Sequence, residues 1–151
     1  MSDLTSAQFA LTNELKALVN NALGDGAPML LAAVRPSGAP VLSYRGSVQA
    51  FSDDQLGLWV RNGQGGTLEA IRANPNVALV YRAASVPVLQ FHGRARIAES
   101  DAERAQVFES APERERNADP ERKGVAVIVD LDRVEGVLVR LDGREIVRLA
   151  R

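Results

Sequence analysis

The segment Leu58-Trp59-Val60-Arg61-Asn62-Gly63-Gln64-Gly65-Gly66-Thr67-Leu68-Glu69 reads as a strand running into a glycine-rich loop and then the first turn of a helix. Such a junction gathers free backbone N–H groups, here including those of Gly65 and Gly66, at the positive end of a helix dipole, which suits an anion such as phosphate. Arg61 and Asn62 at the strand end and the Thr67 hydroxyl are candidate side-chain donors to that anion. No Gly-Lys-Ser/Thr follows, so the loop is not a P-loop. The third glycine and the parallel βαβ setting of a dinucleotide fingerprint are missing too. A plain flexible connection capped by Thr67 would use the same residues.

A second candidate is Ser43-Tyr44-Arg45-Gly46-Ser47-Val48-Gln49, in which a lone arginine sits among a glycine and two serines midway along a hairpin. Arg45 either points into a cleft toward an anionic ligand or stands as an outward charge beside a bulge at Gly46. His92 is the single histidine. It cannot build a multi-histidine metal site, and it reads as one alternating strand position, partly exposed or hydrogen-bonded. Trp59, Phe51, Phe91 and Phe108 read as core, because no basic residues interleave them as on a nucleic-acid-binding face. The run Glu113-Arg114-Glu115-Arg116 reads as a solvated face, and Asp53 and Asp54 belong to a turn.

The chain around these candidates has 151 residues, 46% of them hydrophobic and 25% charged, which fits one globular domain. A net charge of −1 supplies no long-range field toward nucleic acid or an anionic membrane. Without cysteine, disulfides, thiolate metal sites and a cysteine nucleophile are excluded. Neither a signal-peptide pattern nor ~20 consecutive apolar residues is found, so a cytoplasmic location is expected.

The elements that must position the candidates follow from periodicity and turn chemistry. Leu4, Phe9, Leu11, Leu15, Leu18, Val19, Ala22 and Leu23 recur at helical spacing, with Ser6 as the expected cap and the glycines at 24 and 26 as the stop. Strands are predicted over 29–35, 41–44, 46–51, 55–61, 76–82, 86–98, 124–130, 133–141 and 145–149, with Asp142-Gly143 turning the last pair. A short helix is predicted over 67–73, ended by Asn74-Pro75. A second begins at Ser100, with Glu103 completing a capping box and Ala102, Ala105, Val107 and Phe108 on one side. Residues 112–123 read as a broken helix or surface connection. Many closely spaced strands joined by hairpins imply an α+β domain around an antiparallel β-barrel. Its parts are an N-terminal helix (1–26), a barrel core (29–99), a helical connection (100–123) and C-terminal strands (124–151).

Taken in order, these pieces resemble the pyridoxamine 5'-phosphate oxidase-like, FMN-binding split-barrel proteins, from about Met29 to Ile97. Three segments carry the resemblance: Arg45-Gly46-Ser47-Val48, Leu58–Thr67, and Ile71-Arg72-Ala73-Asn74-Pro75-Asn76-Val77-Ala78-Leu79 entering a strand. Phe91-His92-Gly93-Arg94-Ala95 matches the following strand, where the family has a glycine. The resemblance implies a Greek-key split barrel of about six strands that forms a homodimer and holds FMN in clefts between subunits. Arg45 would then contact the flavin phosphate. Backbone groups of Ser47 and Val48 would line the ring, and Val60 and Arg61 would touch ring or phosphate.

Where the family's oxidases carry a serine and basic residues at the helix start, this chain has Gly65, Gly66 and Thr67. That removes one or two charge-assisted hydrogen bonds of ~1.5–3 kcal/mol each. Arg61 and the helix N-terminus are left to compensate. The residues that recognise a vitamin B6 phosphate in the true oxidases are not found either. The expectation is a flavin-dependent oxidoreductase of unknown substrate that is not an efficient pyridoxine-phosphate oxidase. The alternative is a non-enzymatic split-barrel dimer that binds haem, a deazaflavin or nothing.

Overall fold

Alternating burial shows how the chain makes its sheet. In the computed structural model, which describes residues 9–83 and 87–151, strand β1 (Met29–Val34) buries Met29, Leu31 and Ala33 and turns Leu30, Ala32 and Val34 outward. Strands β2 (Pro40–Arg45), β3 (Gln49–Ser52), β4 (Gln55–Val60), β5 (Asn76–Arg82), β6 (Val88–Ile97), β7 (Val125–Arg140) and β8 (Gly143–Ala150) complete one sheet, with every pairing antiparallel. The order is β2-β1-β5-β6-β7-β4-β3, and β8 also pairs with β7. The fold is the expected α+β split barrel. It has eight strands rather than about six, because β3 extends one edge and β8 lies against the second half of β7.

The stretches 124–130 and 133–141 are one strand rather than two. β7 runs unbroken for 16 residues, pairing with β6 along one side, while on the other β4 takes 125–130 and β8 takes 133–140. A register shift at His92/Gly93 absorbs the extra residue, so the polar pair Asp132-Arg133 does not interrupt the strand. Gly93 is required there by close approach, since a Cβ would lie 2.2 Å from the Asp130 carbonyl oxygen. The expected strand over 46–51 is also corrected: Gly46 and Ser47 form a turn, and pairing resumes at Gln49.

Helix α1 (Asn13–Asn21) is capped by Thr12, whose hydroxyl accepts from the Leu15 amide. Phe9 and Leu11 therefore precede the helix, and the Leu11 amide donates to Asp53 O at 2.6 Å. The expected cap Ser6 lies outside the described residues, as do Leu4 and Val86. Leu15 and Val19 of α1, and Leu68, Ala70 and Ile71 of α2 (Gly66–Ala73), close the main core around Leu31, Leu58, Leu79, Phe91 and Val129. Each of these leucine, isoleucine, valine and phenylalanine side chains contributes about 1.5–3 kcal/mol by burial.

β4 and the start of β7 are covered on both faces. Their other side packs under α3 (Asp101–Ser110), where Trp59, Val107, Phe108, Ala126 and Ile128 form a second cluster. Phe108 meets Trp59 edge-on, with ring centroids 4.9 Å apart. Ser100 caps α3 as expected. Glu103 reaches back to the amide of Glu99 rather than Ser100 and takes both Arg96 Nη groups, and Ala102 is exposed.

Candidate functional site

β2 ends on Arg45, and the turn that follows is locked to β4 by Ser47. The buried Ser47 hydroxyl accepts from the Trp59 amide at 2.8 Å and donates to the Trp59 carbonyl at 3.1 Å. Its donor and one of its acceptor lone pairs are thus used in holding the turn. Fixed in this way, Arg45 donates through Nε to Ser43 Oγ at 3.1 Å and through Nη2 to Thr67 Oγ1 at 2.5 Å. Two residues far apart in sequence therefore meet at the start of α2.

Thr67 is not the cap of α2. Gly65 occupies that position with no side-chain capping bond, which leaves the first-turn amides without a side-chain acceptor. Asn62 shapes the loop: its Oδ1 accepts from the Gln64 amide and its carbonyl from the Gly65 amide. Arg45, Ser47, Arg61 and Asn62 line one cleft of about 270 Å3, together with Tyr44, Gly46, Trp59 and Glu115. Burial lowers the pKa of Arg45, the neighbouring charge of Arg61 lowers it further, and Glu115 opposes both. A guanidinium keeps its charge under these influences, so the cleft presents a confined positive group to an anion.

The remaining expected residues are placed differently. Val48 and Val60 are 3% and 2% exposed within the main core, so only their backbones are available to a ligand. Gly65 and Gly66 face two shallow grooves on the β1–β2 hairpin side, of about 520 and 270 Å3, which both include Pro36 and Glu69. His92 stands on the outer face of β6, its Nε2 3.0 Å from Gln90 Oε1, away from the cleft. Among the described residues no cluster of three or more His, Cys, Asp or Glu is placed to hold a metal, and no helix is long and apolar enough to cross a membrane.

Two acidic residues were missed by sequence reasoning. Glu115, expected on a solvated face, sits on the short helix α4 (Glu113–Asn117) and turns its carboxylate into the cleft against Gly46. Four residues on, buried Asp119 accepts from Trp59 Nε1 and the Gly124 amide through Oδ2, both at 2.8 Å, and from the Lys123 amide through Oδ1 at 3.0 Å. Burial pushes its carboxyl upward, but these donors and the charge of Arg104 outweigh burial and hold it below the usual carboxylate range. The Arg104 guanidinium lies 4.8 Å from the Trp59 ring centroid. Nothing in the alternating charges of 113–116 distinguishes Glu115. Only the tertiary course of α4 does.

No curated protein sequence matches the chain. Solved structures share its fold at low identity. HupZ of Group A Streptococcus is 19% identical with a TM-score of 0.66, over 83% of this chain and 93% of that one. A candidate pyridoxamine 5'-phosphate oxidase of Lactobacillus delbrueckii is 20% identical with a TM-score of 0.62, over 85% and 95%. A haem-binding protein of Mycobacterium smegmatis is 14% identical with a TM-score of 0.63, over 93% of this chain but 60% of its own. A family model described as pyridoxamine 5'-phosphate oxidase matches residues 11–137, which contain the whole cleft. With the split barrel and its arginine-lined cleft in place, that match makes the chain a member of the pyridoxamine 5'-phosphate oxidase family.

Proposed function

We propose that the protein is an FMN-binding oxidoreductase whose cleft is completed by a second copy of the chain. The observation that carries this reading is the meeting of Arg45 and Thr67 beside the uncapped start of α2, with Arg61 in the same cleft. A fixed guanidinium, a hydroxyl and helix amides form a donor set suited to a phosphate. Arg45, Thr67, Arg61, Asn62 and the Gly66 amide hold the phosphate in this reading, while the Gly65 amide, expected to join them, is taken by the Asn62 carbonyl. The backbones of Ser47, Val48 and Val60 border the ring. Bound FMN would supply the electron chemistry, while the chain binds, orients and shields it. No acid or base from the protein is required.

The homodimer is supported by the sheet's outer face. Tyr44 opposes Leu30 and then Val80, Leu42 opposes Ala32 and then Ala78, and Pro40 opposes Val34, giving an apolar patch across β2, β1 and β5. Tyr44 and Leu42 are 72% and 63% exposed. A patch of this kind marks an interaction surface, and Tyr44 also lines the cleft. The cleft is open and slightly smaller than the ~300–1,000 Å3 of ordinary ligand pockets, as expected of half a site. A cytoplasmic protein that binds neither nucleic acid nor membrane, and does not turn over pyridoxine phosphate efficiently, completes the proposal.

A second reading, a barrel that holds haem, a deazaflavin or no ligand, draws support from Glu115 in the cleft and from glycines where the oxidases have basic residues. Both readings meet in one experiment. Ligand-stripped protein is titrated with FMN, riboflavin and haemin in a thermal-shift assay, beside an Arg45→Ala variant. The flavin reading expects FMN to raise the Tm, riboflavin to raise it less, and Arg45→Ala to lose on the order of tenfold or more in FMN affinity, as for one charge-assisted bond. A shift with haemin alone, or none at millimolar FMN, transfers support to the second reading.

A further inference from the structure

The cleft holds an element at odds with a simple phosphate cradle. Arg45 and Arg61 supply two positive charges, and Glu115 places a negative one among them. Gly46 leaves room for it, since a Cβ there would lie 2.5 Å from Glu115 Oε1 and the carboxylate would have to move aside. Asp119, one turn further on, pins the segment by accepting from the indole of Trp59, itself a cleft residue. Backbone bonds from Ala118 to Glu115 and from Asp119 to Arg116 carry that anchorage back to α4. The backbone that carries Glu115 is thus anchored beside the turn between β2 and β3, with the carboxylate lining the cleft.

A phosphate monoester carries between one and a half and two negative charges near neutrality, as phosphorylated side chains do. Two arginines would match it. With Glu115 among them the cleft is left with a single net positive charge, and a phosphate approaching Arg45 meets a like charge in a partly desolvated space. We infer that Glu115 is a specificity-determining counter-charge that weakens the cleft's grip on the FMN phosphate and so makes the flavin an exchangeable rather than a resident ligand. This rests on the FMN reading above. It also fits the missing basic residues at Gly65 and Gly66, since both features lower phosphate affinity while leaving the ring site untouched.

The test measures dissociation constants for FMN and for riboflavin, which has the ring but no phosphate, by flavin fluorescence. The proteins are the full-length wild type, Glu115→Gln and Glu113→Gln. Glu113 is an exposed acid on the same helix that does not line the cleft, so its variant reports the general effect of removing one negative charge. Removing a like charge from the partly buried cleft is expected to tighten FMN about tenfold. Riboflavin is expected to stay within about twofold, and FMN binding to Glu113→Gln within about threefold. Glu115→Ala, measured in parallel, guards against a misfolded glutamine variant.

Unchanged or weaker FMN binding in both Glu115 variants overturns the inference and leaves the flavin reading standing. Equal tightening of FMN and riboflavin, or equal gains from Glu113→Gln, also overturns it, since neither is a local effect on the phosphate. FMN binding only after Glu115 is replaced supports it in its strongest form. If no folded variant binds FMN, the flavin reading itself has failed, and the inference falls with it.

Discussion

Replacing Asp119 with alanine tests whether one carboxylate holds the wall of the cleft together. It removes an acceptor from three N–H groups: the Trp59 indole, the Gly124 amide and the Lys123 amide. The first two bonds are buried and the third only partly so, so water can replace the third but not the others. Stranding two buried donors at about 1–3 kcal/mol each gives a loss of about 2–6 kcal/mol. For a domain of this size that corresponds to a fall in Tm of roughly 4–24 °C. Trp59 is the sole tryptophan, so its fluorescence during urea unfolding reports on this contact while far-UV circular dichroism follows the whole fold.

Asp119→Asn keeps one acceptor oxygen and should lose about half as much. The effect should also depend on pH. Because the folded-state pKa lies below the ordinary value, the stabilisation is fully present above the ordinary carboxylate range and disappears as pH falls through the folded pKa. The gap between wild type and Asp119→Asn should therefore narrow in acid. An alanine variant within about 0.5 kcal/mol of wild type, a span ordinary for surface substitutions, would refute the reasoning, as would a gap that widens in acid.

Two further outcomes are expected. Gly93→Ala places a methyl 2.2 Å from the Asp130 carbonyl oxygen and should cost more than about 3 kcal/mol by overpacking against backbone. A Tm within a few degrees of wild type would show that β6 and β7 can separate at the bulge. The double variant Leu42→Glu/Tyr44→Glu should convert a dimer to monomers in sedimentation or light scattering without unfolding the barrel. A wild type already monomeric at micromolar concentration would remove the second copy from the proposed site.

Much of this architecture is legible in the residues. The apolar runs in 29–35 and 76–82, the Asn74-Pro75 stop and the Asp142-Gly143 turn are local signals, and the chain obeys them at those places. The start of α1 is a different matter, because Leu4, Phe9 and Leu11 continue the helical period while the choice of cap lies with Thr12 and the docking of Leu11 on Asp53. Fusion of two predicted strands into β7 depends on a bulge opposite Gly93, which only the partner strand reveals. At the candidate site, Arg45 and Thr67 could be picked out from their types and setting. That they touch could not, since 22 residues separate them and the turn is held by Ser47. Glu115 is the plainest gap, because a charge in a charged run reaches the cleft only through the path of the chain.

The double pairing of β7 sets the order in which the molecule can become competent. As the chain leaves the ribosome, Arg45, Arg61 and Thr67 emerge early, but β4, which carries Trp59, has only the four-residue β3 beside it until 125–130 appear. Until then β4 is a bare edge whose apolar residues lie open on both faces, and such an edge invites pairing with other chains. The pairing that closes it spans about seventy residues, a separation that slows folding. The stretch of synthesis before that pairing forms is the interval in which the chain is most open to wrong association.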